Sequence, residues 1–550
     1  MSSVKRLVYA IAIAVFLFGC GGTIASTAST DPSAMANAGS PFEIRATAEI
    51  TQLEDAGIFT DFTAKTGIPL NIHTERGSVE IAKNIQSITD ANPSDVDAYI
   101  TASPLWMPGS IIAGKTTIMT SVTAFPVDSD VAVKLGWQSG HLLSFVEISN
   151  AIAMKSLQIC APSAAQDDAA ANFFLANLTA LKGTGETLRV ADLSNPSIIL
   201  PMRSFYSGVV VGSNTSSNLI DRMFNDRKSK SAKCNAAVLP ESAAIALDKK
   251  LSAEKLPTMT VFYVDGAIGF ESYTFGYVST ISAEKQKQFA QLAAYLTSPE
   301  IQTRIKALGF RASTVGIMIH NADPAVFNPS WGILTQREFL LTELPKEPVI
   351  AKAIEVYQTQ LRRGSFTVYC LDYSGSMRGS GKQDLLIAMD AILDQDKAIS
   401  YKIQAAQEDT TVIIMFGTGD APRLTIIGND KKQLKGLFNS IANAPMLGDT
   451  NLGGCVLDGM DAIKKQAGPN QLAAVITLTD GGSNIGPDIR STGTQNEIKA
   501  YGVPVFSIMV GAADKSQLDL LKDATSGQVC DGRGGIDALV RCFRDFKGSN

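Results

Sequence analysis

From Phe42 to Phe546 the chain alternates short apolar runs with amphipathic stretches of helical length. That alternation confines it to α/β architectures built on largely parallel sheets. Phe42-Glu-Ile-Arg-Ala-Thr47 reads as a strand, and Leu53, Ala56, Phe59, Phe62 and Thr63 fall on one face of a helix predicted over Leu53–Thr66. Thr66-Gly67-Ile68-Pro69 ends that helix, Leu70–Thr74 is the next strand, Gly77-Ser78-Val79-Glu80 opens another helix, and Asp97–Thr101 is a third strand. Further on, Ile350, Ala353, Ile354, Tyr357 and Leu361 share one helical face, which Arg362-Arg363-Gly364 terminates. Strands are then expected at Phe366–Leu371, Thr411–Phe416, Leu472–Thr479 and Pro504–Val510. The intervening helices are expected at Gln383–Gln404, Lys431–Asn443, Leu452–Lys465, Asp488–Tyr501, Lys515–Ala524 and Ile536–Phe546. This second half is a Rossmann-like doubly wound domain, whose functional loops belong at the carboxyl ends of its strands. The 550 residues therefore divide into a domain at 41–345, a linking helix at 346–363 and a domain at 364–546.

Composition removes several functions. A 45% hydrophobic and 18% charged chain has ordinary globular cores. Its formal charge is −5 and no basic cluster is interleaved with aromatics, so nucleic acid is not expected as a partner. His73, His141 and His320 stand apart, outside any His-Glu-x-x-His or Cys-x-x-Cys context, and there is no Gly-x-Ser-x-Gly elbow. An enzyme is not expected.

At the N-terminus Lys5 and Arg6 precede twelve apolar residues, Leu7–Phe18. Such a run is too short to cross a bilayer and suits a signal peptide, here 1–19. Residues 20–40, rich in Gly, Ser, Thr and Ala, read as a flexible tether. Leu17-Phe18-Gly19-Cys20 resembles the lipobox of bacterial lipoproteins. The resemblance implies cleavage before Cys20, acylation of its sulfur and anchoring to a lipid bilayer, hence an extracytoplasmic place in the bacterial cell envelope. The remaining six cysteines allow fifteen pairings, and their distribution suggests Cys160 with Cys234 and Cys530 with Cys542. Cys370, in a strand expected to be buried, reads as a free apolar thiol.

The first half resembles the bilobed solute-binding proteins of ABC transporters. The likeness lies in Phe59-Thr-Asp-Phe-Thr-Ala-Lys-Thr-Gly-Ile-Pro69, Gly77-Ser-Val-Glu80, Asp97-Ala-Tyr-Ile-Thr-Ala-Ser103, Val264–Tyr277 and Ser298-Pro-Glu-Ile-Gln302. It implies a small solute in the interlobe cleft, with Gly77, Ser78 and Ser103 at the site. Free N–H groups at the helix start would receive an anion or polar group, although Ser78 and Ser103 also fit as helix caps.

Asp372-Tyr373-Ser374-Gly375-Ser376 leaves the first strand of the second half. A carboxylate and two hydroxyls at alternate positions suit Mg²⁺, with Mn²⁺ as the other candidate, but the same residues also make ordinary turns. Thr450, just before a helix, and Asp480, just after a strand, complete an ordered set. Asp372, Ser374, Ser376, Thr450 and Asp480 together resemble the metal-ion-dependent adhesion site of von Willebrand factor type A domains. The resemblance implies direct ligation by Ser374 and Ser376, charge held on the metal by Asp372 and Asp480, and entry of Thr450 with ligand state. The open vertex would take an Asp or Glu carboxylate of a protein partner. Asp449 reads as a loop residue or cap rather than a sixth ligand.

Overall fold

The computed structural model describes residues 40–74, 77–312, 318–319, 321–337, 339, 342–418, 423–513 and 515–549. The expected signal peptide, Cys20, residues 20–39 of the expected tether and His320 lie outside the described residues.

The first half is built on β1 (Phe42–Ala46), β2 (Leu70–Thr74), α1 (Ser78–Gln86), β3 (Ala98–Thr101) and the long β4 (Ile112–Asp128). It continues with β5 (Ile159–Pro162), α2 (Asp168–Lys182), β6 (Val209–Ser213), α3 (Ser216–Lys228) and β7 (Phe270–Val278). Strands run in the order β2-β1-β3-β7-β4 and then, through Ala236–Ala237, to β5 and β6. Parallel pairing of β1 with β2 and β3 places their carboxyl ends together, whereas β7 returns antiparallel to β3 and β4. The first part of β4 pairs with β7, and its last residues pair with the strand Met259–Val264. One strand thus runs through two lobes with separate cores. The first is packed around Phe42, Ile44, Ile100 and Phe275, the second around Phe125, Phe173, Phe205 and Tyr206.

The helix expected over Leu53–Thr66 is two, Thr51–Asp55 and Ile58–Thr66, because Gly57 between them adopts φ +71°. The linking helix α4 (Glu347–Val356) continues as a π turn, Tyr357–Leu361. It does not hang free between domains. Ile350, Ile354 and Tyr357 belong to the core of the second lobe, and the Tyr357 ring lies 5.0 Å from that of Tyr206.

The second half contains β8 (Ser365–Asp372), α5 (Ser380–Leu393), β9 (Thr410–Phe416), β10 (Arg423–Ile427) and α6 (Leu452–Gln466). It ends with β11 (Leu472–Thr479), β12 (Val505–Met509), β13 (Gln528–Asp531) and α7 (Ile536–Ser549). The sheet order is β10-β9-β8-β11-β12-β13, all parallel except β10. The order reverses at β8, which makes the carboxyl edge of β8 and β11 the topological switch point. Alternate residues of β8 feed the two layers: Phe366, Val368 and Cys370 face one core, Tyr369 and Leu371 the other. The edge strands β10 and β13 are not evident in the sequence, since one alternates exposed with half-buried residues and the other has four residues. The helix expected over Gln383–Gln404 stops at Leu393, and the Asp394 carboxylate accepts from the N–H of Asp396 and Lys397 to start a new one.

Cys160 is bonded to Cys234 and Cys530 to Cys542. The free-thiol reading of Cys370 is corrected: it is bonded to Cys455 on α6, with 6.0 Å between their Cα atoms. Cys370 lies on the face of β8 against which α6 packs, so its burial brings it to a second thiol rather than isolating it.

Both halves belong to one compact unit, Pro41–Asn550. Helix α7 makes much of the junction. Arg544 pairs with Glu80 of α1 at 2.5 Å, and its carbonyl accepts from Gln166 Nε2. Asp545 accepts from Asn214 Nδ2 at 3.2 Å. Arg363 donates to the carbonyls of Val209, Pro469 and Asn470, so one guanidinium ties β6 to the segment entering β11.

Candidate metal centre

The five residues predicted from the sequence lie on three loops at the carboxyl edge of β8 and β11. Asp372 ends β8 and is 1% exposed. Its Oδ1 accepts from the N–H of Ser374 at 2.9 Å, which turns the chain, and Ser374 Oγ and Ser376 Oγ then lie 3.0 Å apart. A short bridge pairs Ser374 with Gly448, and Gly375 N donates to the Gly448 carbonyl at 2.5 Å. The loop carrying Thr450 is thereby zipped alongside the serines. Asp480 follows β11 directly, and Thr479 Oγ1 donates to Asp372 Oδ2 at 2.6 Å. A buried hydroxyl thus links the β11 exit to the β8 exit.

Polarity is graded from floor to mouth. Asp372, Ser374, Thr450 and Asp480 are buried and Ser376 is exposed. Burial pushes the Asp372 carboxyl above its ordinary range, outweighing the bonds from Ser374 and Thr479, and the charge of Asp480 adds to the rise. A buried carboxylate raised in part by a second carboxylate beside it, with hydroxyl oxygens around both, forms a donor set of the kind a hard divalent cation relieves. Among the described residues no three His, Cys, Asp or Glu side chains converge as metal ligands. The set at Asp372 is of a different kind, with three of its five members hydroxyls.

A supporting layer escaped the sequence reading. Asn484 Oδ1 accepts from Thr450 N at 2.8 Å, Asn484 N donates back to the Thr450 carbonyl, and Ser483 Oγ donates there as well. Asp449 is exposed and held by Thr418 and Asn484, as befits a loop residue. Of the residues that support the five, only Thr479, whose hydroxyl binds Asp372, carried a signal in the sequence, a hydroxyl one residue before Asp480.

The other sequence-predicted site is committed internally. Ser78 N–H donates to both carboxylate oxygens of Asp168 at 3.1 Å, and Ser78 Oγ lies 3.0 Å from Asp168 Oδ2. Ala102 N donates to the same Oγ. The acceptor at the start of α1 is therefore a carboxyl side chain of the second lobe. Gly77 allows this closure, since a Cβ there would lie 2.3 Å from the Gln166 carbonyl oxygen. Ser103 Oγ accepts from Leu105 N and caps the turn Pro104–Trp106. Gly77, Ser78 and Ser103 hold the lobes and loops together in this state. An opening of about 670 Å³ lies where both lobes meet the second half, lined by Thr51, Thr74, Asn214, Thr215, Asn218 and Gln528 among others.

No family model matches the chain, and no curated protein matches it. Among solved structures it is similar to the periplasmic binding protein P5PA, at 11% identity over 55% of this chain and 92% of that one, with a TM-score of 0.38. It is similar to maltose-bound MalE3 of T. maritima, at 10% identity over 57% and 92%, with a TM-score of 0.40. Iron-bound HitA of Pseudomonas aeruginosa matches at 11% identity over 57% and 99%, with a TM-score of 0.39.

Proposed function

We propose that the chain is a non-enzymatic binding protein, anchored outside the cytoplasm through Cys20, whose second half is a von Willebrand factor type A domain. The observation that carries this reading is the convergence of Asp372, Ser374 and Ser376 with the loops of Thr450 and Asp480 at the switch point of the sheet. Asp372, Ser374 and Ser376 would hold Mg²⁺ or Mn²⁺ with Asp480 and Thr450, and the ion would supply an electropositive vertex for an acidic side chain of a protein partner. The chain's own part is positional. Thr479 orients Asp372, the Ser374–Gly448 bridge fixes the serines against the Thr450 loop, and Asn484 holds Thr450. Among the described residues no helix is long and apolar enough to cross a membrane. Calorimetric titration with acidic protein ligands in Mg²⁺ tests the reading. Binding should vanish with chelator and in Asp372→Ala, and binding that survives both removes the metal-mediated mechanism.

A second reading, a solute receptor of a transport or signalling complex, is favoured by the two-lobed first half and the 670 Å³ opening at the junction. Its walls are rich in hydroxyls and amides, which suits a small polar solute. A thermal-shift screen of sugars, amino acids, oligopeptides and oxyanions checks it. Stabilisation by one class, lost in Asn214→Ala, supports a receptor, and a uniformly flat response supports a scaffold.

A further inference from the structure

Where Asp168 reaches Ser78, the two lobes close over four carboxylates. Glu49 comes from the turn Ala48–Ile50, Asp167 and Asp168 from the start of α2, and Glu271 from β7, and none is more than 7% exposed. Asp167 is satisfied within the second lobe, accepting from Ser216 N at 2.6 Å and Ala170 N at 3.0 Å. Glu49 and Glu271 lie within reach of the charges of both Asp167 and Asp168, and the Tyr273 hydroxyl donates to Glu271 at 2.9 Å. Glu49 Oε2, Glu271 Oε1 and the buried hydroxyl of Ser121, directly across the ladder from Glu271, find no hydrogen-bond partner among the described residues.

Among the described residues no base is paired with these acids. The charged groups acting on Glu49 and Glu271 are the other carboxylates. Basic residues on neighbouring elements are engaged elsewhere: Arg45 with Asp95, Lys83 on the Ser400 carbonyl, Lys182 with Asp192, Arg311 with Glu241 and Arg544 with Glu80. Several ionised carboxylates in one dry seam repel each other strongly, so such a closed state requires bound protons or a cation. The acids do not converge as metal ligands.

We propose that the interlobe seam is a proton-operated latch, closed while Glu49, Asp168 and Glu271 carry protons between them and opened by their ionisation. On opening, like charges part the lobes, Asp168 leaves Ser78, and the free N–H groups at the start of α1 become available to an outside anion. Burial first, then the charge of Asp167, carries the Asp168 carboxyl up to about 7, and burial with its acidic neighbours raises Glu49 and Glu271 well above the carboxylate range. A carboxyl whose pKa is higher when closed binds more protons in that state, so closure weakens as pH rises from about 4, with the contribution of Asp168 lost by about 7 and those of Glu49 and Glu271 lost at higher pH. The latch is independent of the metal reading, whose ligands all lie in the second half.

Hydrogen exchange of the full chain at pH 5 and pH 8, normalised to intrinsic rates, tests it. Protection at the amides of Ser78 and Ala102 should fall by up to about a hundredfold from Asp168 alone, while β8 amides keep theirs. Glu49→Gln and Glu271→Gln, which preserve shape, should each shrink that fall and protect the seam at pH 8. Seam protection constant within about threefold across the two pH values would overturn the latch, as would an unchanged pH dependence in both variants. Closure at pH 8 restored by millimolar Mg²⁺ or Ca²⁺ would overturn it in favour of a bound cation.

Discussion

Replacing Cys370 and Cys455 together by alanine should destabilise the second half more than any other cysteine pair. The bond spans 85 residues, and the loop entropy it removes from the unfolded chain amounts to about 4.5 kcal/mol. The Cys530–Cys542 bond, spanning 12 residues, is worth about 3 kcal/mol by the same reasoning. The larger effect also acts nearer the candidate site, because Cys370 lies two residues before Asp372 and Cys455 lies on the helix that follows Thr450. Hydrogen exchange at Val368–Leu371 in the full chain, under non-reducing conditions, reads the global opening of this half. About a thousandfold loss of protection is expected in the Cys370→Ala/Cys455→Ala variant, and a tenfold to hundredfold loss in Cys530→Ala/Cys542→Ala. A loss below about tenfold in the first variant, or the reverse ranking, would refute the reasoning from loop length.

Two further outcomes follow from single contacts. Gly77→Ala places a Cβ 2.3 Å from the Gln166 carbonyl oxygen, so it should pry the lobes apart and cost about 1–3 kcal/mol; an increased radius of gyration in X-ray scattering checks this, and an unchanged one contradicts it. Burial alone would raise the Asp409 carboxyl, but its two-pronged pairing with Arg362 prevails and holds it down to about 2. A depressed carboxyl stabilises above its unfolded value and loses that contribution as pH falls from about 4 through about 2, here about 2 kcal/mol. Acid titration of the wild type should show this loss and Asp409→Asn should not; parallel curves would contradict it.

What could be read beforehand depended on how local each signal was. Asp372, Ser374 and Ser376 fall within five residues at the exit of an apolar strand, so their position was legible. Thr450 and Asp480 were legible because each abuts a regular element with a clear apolar pattern. The bonds that hold them are not local: Asn484 reaches Thr450 from another loop, and Thr479 is 107 residues from Asp372. The same distance in sequence concealed the seam. Ser78 opens a helix with free N–H groups, which reads equally as a ligand site, and only the closed lobes show that Asp168, 90 residues away, receives them. Cys370 misled for a related reason, since an apolar strand predicts burial but not which helix covers it.

The central claim is a metal held by Asp372, Ser374, Ser376, Thr450 and Asp480, and calorimetric titration of chelator-treated protein with Mg²⁺, repeated with Mn²⁺, tests it most directly. The account predicts one ion per chain in the wild type, with binding lost in Asp372→Asn and Asp480→Asn while β8 keeps its exchange protection. Equal binding in the wild type and both variants, or no binding to the wild type at millimolar metal, would contradict it.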